Sequence, residues 1–127
     1  MIYLLVGLGG AAGSILRYLT GNLLLGVNPA AFPYGTLAVN LAGSFLLGLL
    51  TDTLLKNRRL SSDVTAALGT GLIGSFTTFS AFSIETIGLF QEGHYFLAFI
   101  YFFLSIMGGL FFAWCGLNLL KWKGERK

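Results

Sequence analysis

Charged side chains are what this chain has least of. They make up 10% of its 127 residues, against about 25% in soluble globular proteins, so there is too little polar surface to cover a core. That argues against a soluble enzyme. Cysteine occurs once, as Cys115 within an apolar run, so no disulfide framework, CxxC pair or thiolate zinc site can be built within one chain. Proline occurs only at Pro29 and Pro33, and both mark boundaries. No Lys or Arg precedes Arg17. The opening MIYLLVGLGG therefore lacks the positive leading region of a cleavable signal and reads as a retained first helix.

What is abundant is apolar: 55% of residues, with a mean hydropathy of +0.79. A bilayer-spanning helix takes roughly 20 apolar residues, so the length accommodates several spans, short loops and little else, as one lipid-embedded domain over residues 1–127. The net charge of +3 does not indicate nucleic acid, because seven of the eight Lys and Arg residues fall in two short stretches. These are Lys56, Arg58 and Arg59, and then Lys121, Lys123, Arg126 and Lys127. Such clusters beside apolar segments read as flanks that hold topology.

Breakers divide the chain into four apolar segments. The first runs from about residue 2 to 25 and ends in a loop holding Asn28 and Pro29. The second opens at Pro33, suited to a first helical turn where its missing N–H is no loss, and runs to about 55. A third, about 61–90, starts at Ser61, Ser62 and Asp63, which accept from free helix N–H groups and suit the helix dipole. The turn Gln91, Glu92, Gly93, His94 leads to a fourth segment, about 95–120, whose residues up to Leu120 carry no charge. Transmembrane strands are only about 9–11 residues long and alternate in polarity. These segments do neither, so the expectation is an all-α membrane protein of four transmembrane helices with both termini on one side.

The third segment carries Gly69, Thr70, Gly71, Gly74, Ser75, Thr77 and Thr78 in the stretch that should cross the midplane. Poor helix formers there predict a helix break near 74–78. Freed carbonyls are tolerated in a membrane only where protein buries them or they line a polar cavity, and broken helices in transport proteins use them to hold cations. Gly69, Gly71 and Gly74 spell GxGxxG, but neither the preceding strand nor the helix start of a dinucleotide site is present. They read as packing or break glycines.

Polar residues inside the spans are the candidate functional groups. Arg17 shares a stripe with Gly9, Gly13 and Gly21; a charge at this depth faces protein, water or a nearby interface. Thr36, Asn40, Ser44 and Gly48 repeat at spacing four. Asn40 brings an amide whose donors and acceptor need partners, and its spacing suits helix glue and pathway lining equally. Phe79 and Phe82 share a face with Ser83 and Thr86 beside them, and Tyr101, Ser105, Gly109 and Phe112 form another stripe. Such stripes serve packing, with hydroxyls bonded one turn back, or they present positive ring edges and donors to an anion. Glu85 is a further charge within a span, and intramembrane carboxylates are functional candidates. His94 reads as an interfacial turn residue.

The strings Gly10–Tyr18 (GAAGSILRY), Pro33–Asn40 (PYGTLAVN) and Gly74–Ser83 (GSFTTFSAFS) resemble the Fluc/CrcB family of fluoride channels over the whole chain, the third string most specifically. The resemblance implies a passive channel exporting cytoplasmic fluoride across the cell membrane, built as an antiparallel dimer with two pores and a central structural sodium ion. It implies that carbonyls of Gly74 and Thr77 hold the sodium. By the same resemblance Asn40, Phe79, Phe82, Ser83, Tyr101 and Ser105 mark the anion pathway, with Arg17 at a vestibule and Glu85 beside it. Ala81 stands where many members have threonine and Gly109 where many have serine, two positions that bear on the number of hydroxyls along the path. The competing class is a four-helix proton-coupled drug exporter. That chemistry needs a carboxylate in an early helix, where this chain has Arg17. The mate in the dimer is a second copy or an oppositely oriented paralogue.

Overall fold

The computed structural model describes residues 1–25, 32–57 and 60–124. Asn28, Pro29, Arg58, Arg59, Arg126 and Lys127, which carry the loop and flank expectations, lie outside the described residues. Helix α1 spans Ile2–Leu25 and α2 spans Tyr34–Asn57. The third span is composite: α3 (Ser62–Ala66), a π-helical stretch (Ala67–Ile73), α4 (Gly74–Phe76) and α5 (Phe79–Gln91). Helix α6 spans Tyr95–Gly124. Four helical segments are long and apolar enough to cross a membrane, namely 2–23, 34–53, 62–91 and 95–119.

Local chemistry accounts for the boundaries. Pro33 precedes the first residue of α2 instead of occupying it, and its carbonyl accepts from the Leu37 N–H at 3.2 Å. Ser61 caps α3 by accepting from the Val64 N–H at 3.3 Å, with Asp63 in the first turn, as free N–H groups and the dipole favour. Between α5 and α6 the chain closes a Schellman turn. The His94 N–H donates to the Leu89 carbonyl at 2.8 Å and the Gly93 N–H to the Phe90 carbonyl at 3.1 Å. Gly93 has φ +81°, a conformation that a Cβ makes costly. Helix α6 continues past Leu120 to Gly124.

Packing is by backbone approach. A Cβ on Gly9 would fall on the Ala67 carbonyl, one on Gly13 on the Leu72 carbonyl, and one on Gly71 on the Val6 carbonyl at 2.6 Å. Helix α1 thus lies directly against the π-helical stretch. Gly48 and Gly116 make the same exchange between α2 and α6, facing the carbonyls of Ala113 and Phe45. In lipid, where there is no hydrophobic drive between helices, such small-residue contacts bring the van der Waals surfaces together. The stripe read on α1 divides: Gly9 and Gly13 pack, whereas Gly21 has open space around it.

Few side chains are fully buried. Leu89, Ala98 and Tyr101 form one cluster with Phe32, Leu37, Phe82 and Leu97 against it, and Val39 and Ile73 are buried elsewhere. Large apolar residues such as Leu4, Leu23, Phe96 and Phe99 face outward. A surface of that kind suits hydrocarbon and would aggregate in water.

Candidate functional site

The third span changes course at two threonines. Thr77 (φ −77°, ψ 158°) and Thr78 (φ −147°, ψ 123°) are extended, so their peptide groups leave the helical ladder and need other partners. Asn40, on α2, supplies them. Its Nδ2 donates to the Thr78 carbonyl at 2.9 Å, and its Oδ1 accepts from the Thr78 N–H at 2.8 Å. A primary amide presents one acceptor beside one donor, the same pair a neighbouring strand would offer. Thr78 then restarts the helix as its cap, its hydroxyl accepting from the Ala81 N–H at 3.3 Å.

These bonds determine which carbonyls are left over. In an unbroken helix the Thr78 N–H would serve the Gly74 carbonyl, and the Ala81 N–H the Thr77 carbonyl. The first donor goes to Asn40 and the second to the Thr78 hydroxyl. Gly74 and Thr77 are therefore among the residues, with Ser75 and Phe76 between them, whose backbone oxygens lose their helical donors at the detour. The Thr77 hydroxyl donates to the Ile73 carbonyl at 3.1 Å and approaches that of Gly74 at 3.5 Å.

A groove of about 350 Å³ opens beside the interruption, lined among others by Asn40, Thr77, Thr78, Phe79, Phe82 and Ser105. Gly74 also lines it. The Ser105 hydroxyl oxygen is buried and has no hydrogen-bond partner among the described residues. The Phe79 and Phe82 rings lie 5.8 Å apart; Phe82 also meets Tyr101 at 5.3 Å and Phe102 at 6.2 Å. Phe79, by contrast, is 80% exposed on the single chain.

The remaining candidates occupy different places. The Tyr101 hydroxyl, on a side chain with no exposed surface, donates to Glu85 Oε2 at 2.7 Å, and the Thr36 hydroxyl donates to Glu85 Oε1 at 2.7 Å. Glu85 thereby ties α2, α5 and α6 together, and neither it nor Tyr101 lines the groove. The Ser83 hydroxyl donates to the Phe79 carbonyl at 2.9 Å, the usual habit of a helical serine. Arg17 lines a second cavity of about 300 Å³ with Gly21, Thr36, Thr78 and Ser80. Thr78 borders both cavities.

The structure thus brings Asn40, Gly74, Thr77, Phe79, Phe82 and Ser105 to one groove and sets Arg17, Ser83, Glu85 and Tyr101 apart from it. Sequence reading placed Thr78 in the break without giving it a role, and it passed over Gly43, which also lines the groove. Thr78 had a usable signal, since a threonine directly before a renewed apolar helical pattern is a cap candidate. Gly43 had none beyond its place three residues after Asn40.

Comparison with known proteins adds to this geometry. The chain matches the family described as CrcB-like protein, Camphor Resistance (CrcB), over residues 4–117. It is 49% identical over 109 residues to the fluoride-specific ion channel FluC 1 of Desulfitobacterium hafniense (strain Y51), covering 86% of this chain and 94% of the relative. With FluC 1 of Bacillus thuringiensis subsp. konkukian (strain 97-27) the identity is 44% over 119 residues, 94% of this chain and 87% of the relative. With FluC of Pseudoalteromonas translucida (strain TAC 125) it is 40% over 120 residues, 94% and 100% of the two chains. By the family match over residues 4–117 and identities of this size across nearly full lengths, the chain belongs to the CrcB family.

Proposed function

We propose that this chain is a fluoride-selective channel that passively exports cytoplasmic fluoride across the cell membrane and turns nothing over chemically. The observation that carries the reading is the groove at the interruption, where Asn40, Phe79, Phe82 and Ser105 converge. A small anion gives up its water only where fixed donors replace it, since burying an uncompensated charge is costly. Asn40 commits one Nδ2 hydrogen to Thr78, leaving its second for the groove. Ser105 brings a hydroxyl without a protein partner among the described residues. The rings of Phe79 and Phe82 contribute positive edges. Arg17 raises the local anion concentration in the neighbouring cavity, which meets the groove at Thr78.

The working unit in this reading is an antiparallel dimer with two pores, and the exposed Phe79 face supports a pore completed by a mate. A structural sodium ion suits the donor set, because the detour at Thr78 diverts the N–H groups that would occupy the Gly74 and Thr77 carbonyls, and hard cations take oxygen ligands. When bound, it supplies a fixed positive charge close to the anion path. The protein residues do the rest: Asn40 holds the backbone detour, and Glu85 holds Thr36 and Tyr101 across three helices.

Fluoride efflux from liposomes under an imposed pH gradient tests this. A channel releases fluoride only as fast as a potassium ionophore relieves the charge, with no dependence on the proton gradient. Flux that follows the proton gradient would point to the exporter class and contradict the proposal.

A further inference from the structure

Gly43 lies one helical turn beyond Asn40 on α2, is buried, and touches the other extended residue. A Cβ built on it would land on Thr77 Cγ2, with Thr77 Cβ and Phe76 Cδ1 both at 3.6 Å. The glycine is therefore a socket for the threonine methyl. With the methyl seated there, the hydroxyl on the same carbon is aimed at the Ile73 carbonyl, which it reaches at 3.1 Å. Threonine is stiff about χ1, so the two contacts fix each other: turning the methyl out of the socket withdraws the hydroxyl from its acceptor. One residue later the Asn40 amide holds both polar groups of the Thr78 peptide unit. Two successive residues of the detour are thus held by two positions on one face of α2, three apart.

We propose that α2 is the template of the interruption, with Gly43 and Asn40 as positioning residues that set Thr77 and Thr78 and, through them, the start of α5 at Phe79. Gly43 acts by steric fit alone, presenting no group to any ion. The consequence for transport rests on the fluoride-channel reading; the template itself does not. The geometry explains why a helix that lacks a side chain at this point is needed beside an amide at position 40. The amide sets the height of Thr78 against α2, and the missing side chain lets the preceding residue approach as closely as that height demands.

The test is a double-mutant cycle on fluoride efflux from liposomes, using the wild-type chain, Gly43→Ala, Thr77→Ser and the pair together. Removing the methyl from residue 77 while keeping its hydroxyl makes room for the alanine. Gly43→Ala should therefore lower the rate by about tenfold or more beside threonine and by less than about twofold in the Thr77→Ser background. Equal losses in both backgrounds, or none in either, would overturn the template. If Gly43→Ala fails to fold, the Thr77→Ser partner must restore folding, and a double variant that also fails counts against the proposal. Amide hydrogen exchange at Thr78, measured on the same proteins in lipid, needs no transport. It should be slow in the wild type, about tenfold faster in Gly43→Ala and restored in the pair. A wild type without fluoride flux but with this exchange pattern would reject the channel reading and retain the template, whereas exchange unchanged by Gly43→Ala would reject the template.

Discussion

Phe79 and Phe82 stand three residues apart on α5, yet only Phe82 is enclosed, between Phe79, Tyr101 and Phe102. If their ring edges take part in replacing water around fluoride, an aliphatic side chain of similar bulk removes that contribution and leaves the packing. Phe82→Ile should cut fluoride flux about tenfold, the equivalent of about 1.4 kcal/mol, without changing the thermal midpoint much; unaltered flux would return the ring to packing. Tyr101 is different in kind. Its hydroxyl donates to Glu85 at 2.7 Å from a fully buried side chain, so Tyr101→Phe takes a donor away from the carboxylate. The expected cost is about 1–3 kcal/mol of stability, seen as a lower unfolding midpoint in detergent, and an unchanged midpoint would contradict this role. At this scale the candidate residues were legible, because polar groups in an apolar span are conspicuous. Their partners were not: spacing left Asn40 between glue and pathway lining, and nothing in it indicates that the amide meets the Thr78 peptide.

Between elements, the contact that organises the third span is the one between α1 and the π-helical stretch. Gly13 faces the Leu72 carbonyl and the Phe76 nitrogen, whereas Gly7, on the same helix, has open space around it. Gly13→Ala therefore drives two backbones apart, at about 1–3 kcal/mol, while Gly7→Ala removes an unfavourable helical glycine and gains about 0.5–1 kcal/mol. Unfolding midpoints of the two variants should move in opposite directions, and a rise in both would show that the glycines of α1 act only through helix propensity. The four helical spans were readable from length and apolar composition. The π-helical register was not, because it differs from α only by one residue in the span of each hydrogen bond. The glycines at 69, 71 and 74 do signal an irregular stretch, but composition does not say that the irregularity begins as early as Ala67.

For the molecule as a whole, the distribution of charge sets orientation. Lys56, Arg58, Arg59, Lys121, Lys123, Arg126 and Lys127 fall on one side of a four-span chain, and the opposite loops, 26–32 and 91–94, contain no Lys or Arg. Positive residues near span ends hold loops in the cytoplasm, so most copies should insert with both termini inside; in the proposed antiparallel dimer an oppositely oriented relative then supplies the other half in the cell, and a second copy does so where only this chain is produced. Reporter fusions to the C-terminus should be active on the cytoplasmic side only; comparable activity on both sides would refute a single orientation and favour a homodimer. The identity of the ion was legible through the three sequence strings that resemble fluoride channels, and the groove adds the place where Asn40, Ser105, the two phenylalanines and the residues of the interruption meet. The most direct measurement of that claim is fluoride and chloride efflux, side by side, from liposomes holding the purified chain. The account predicts rapid fluoride release with chloride at the level of protein-free liposomes. Equal rates for the two anions, or no fluoride release at all, would contradict it.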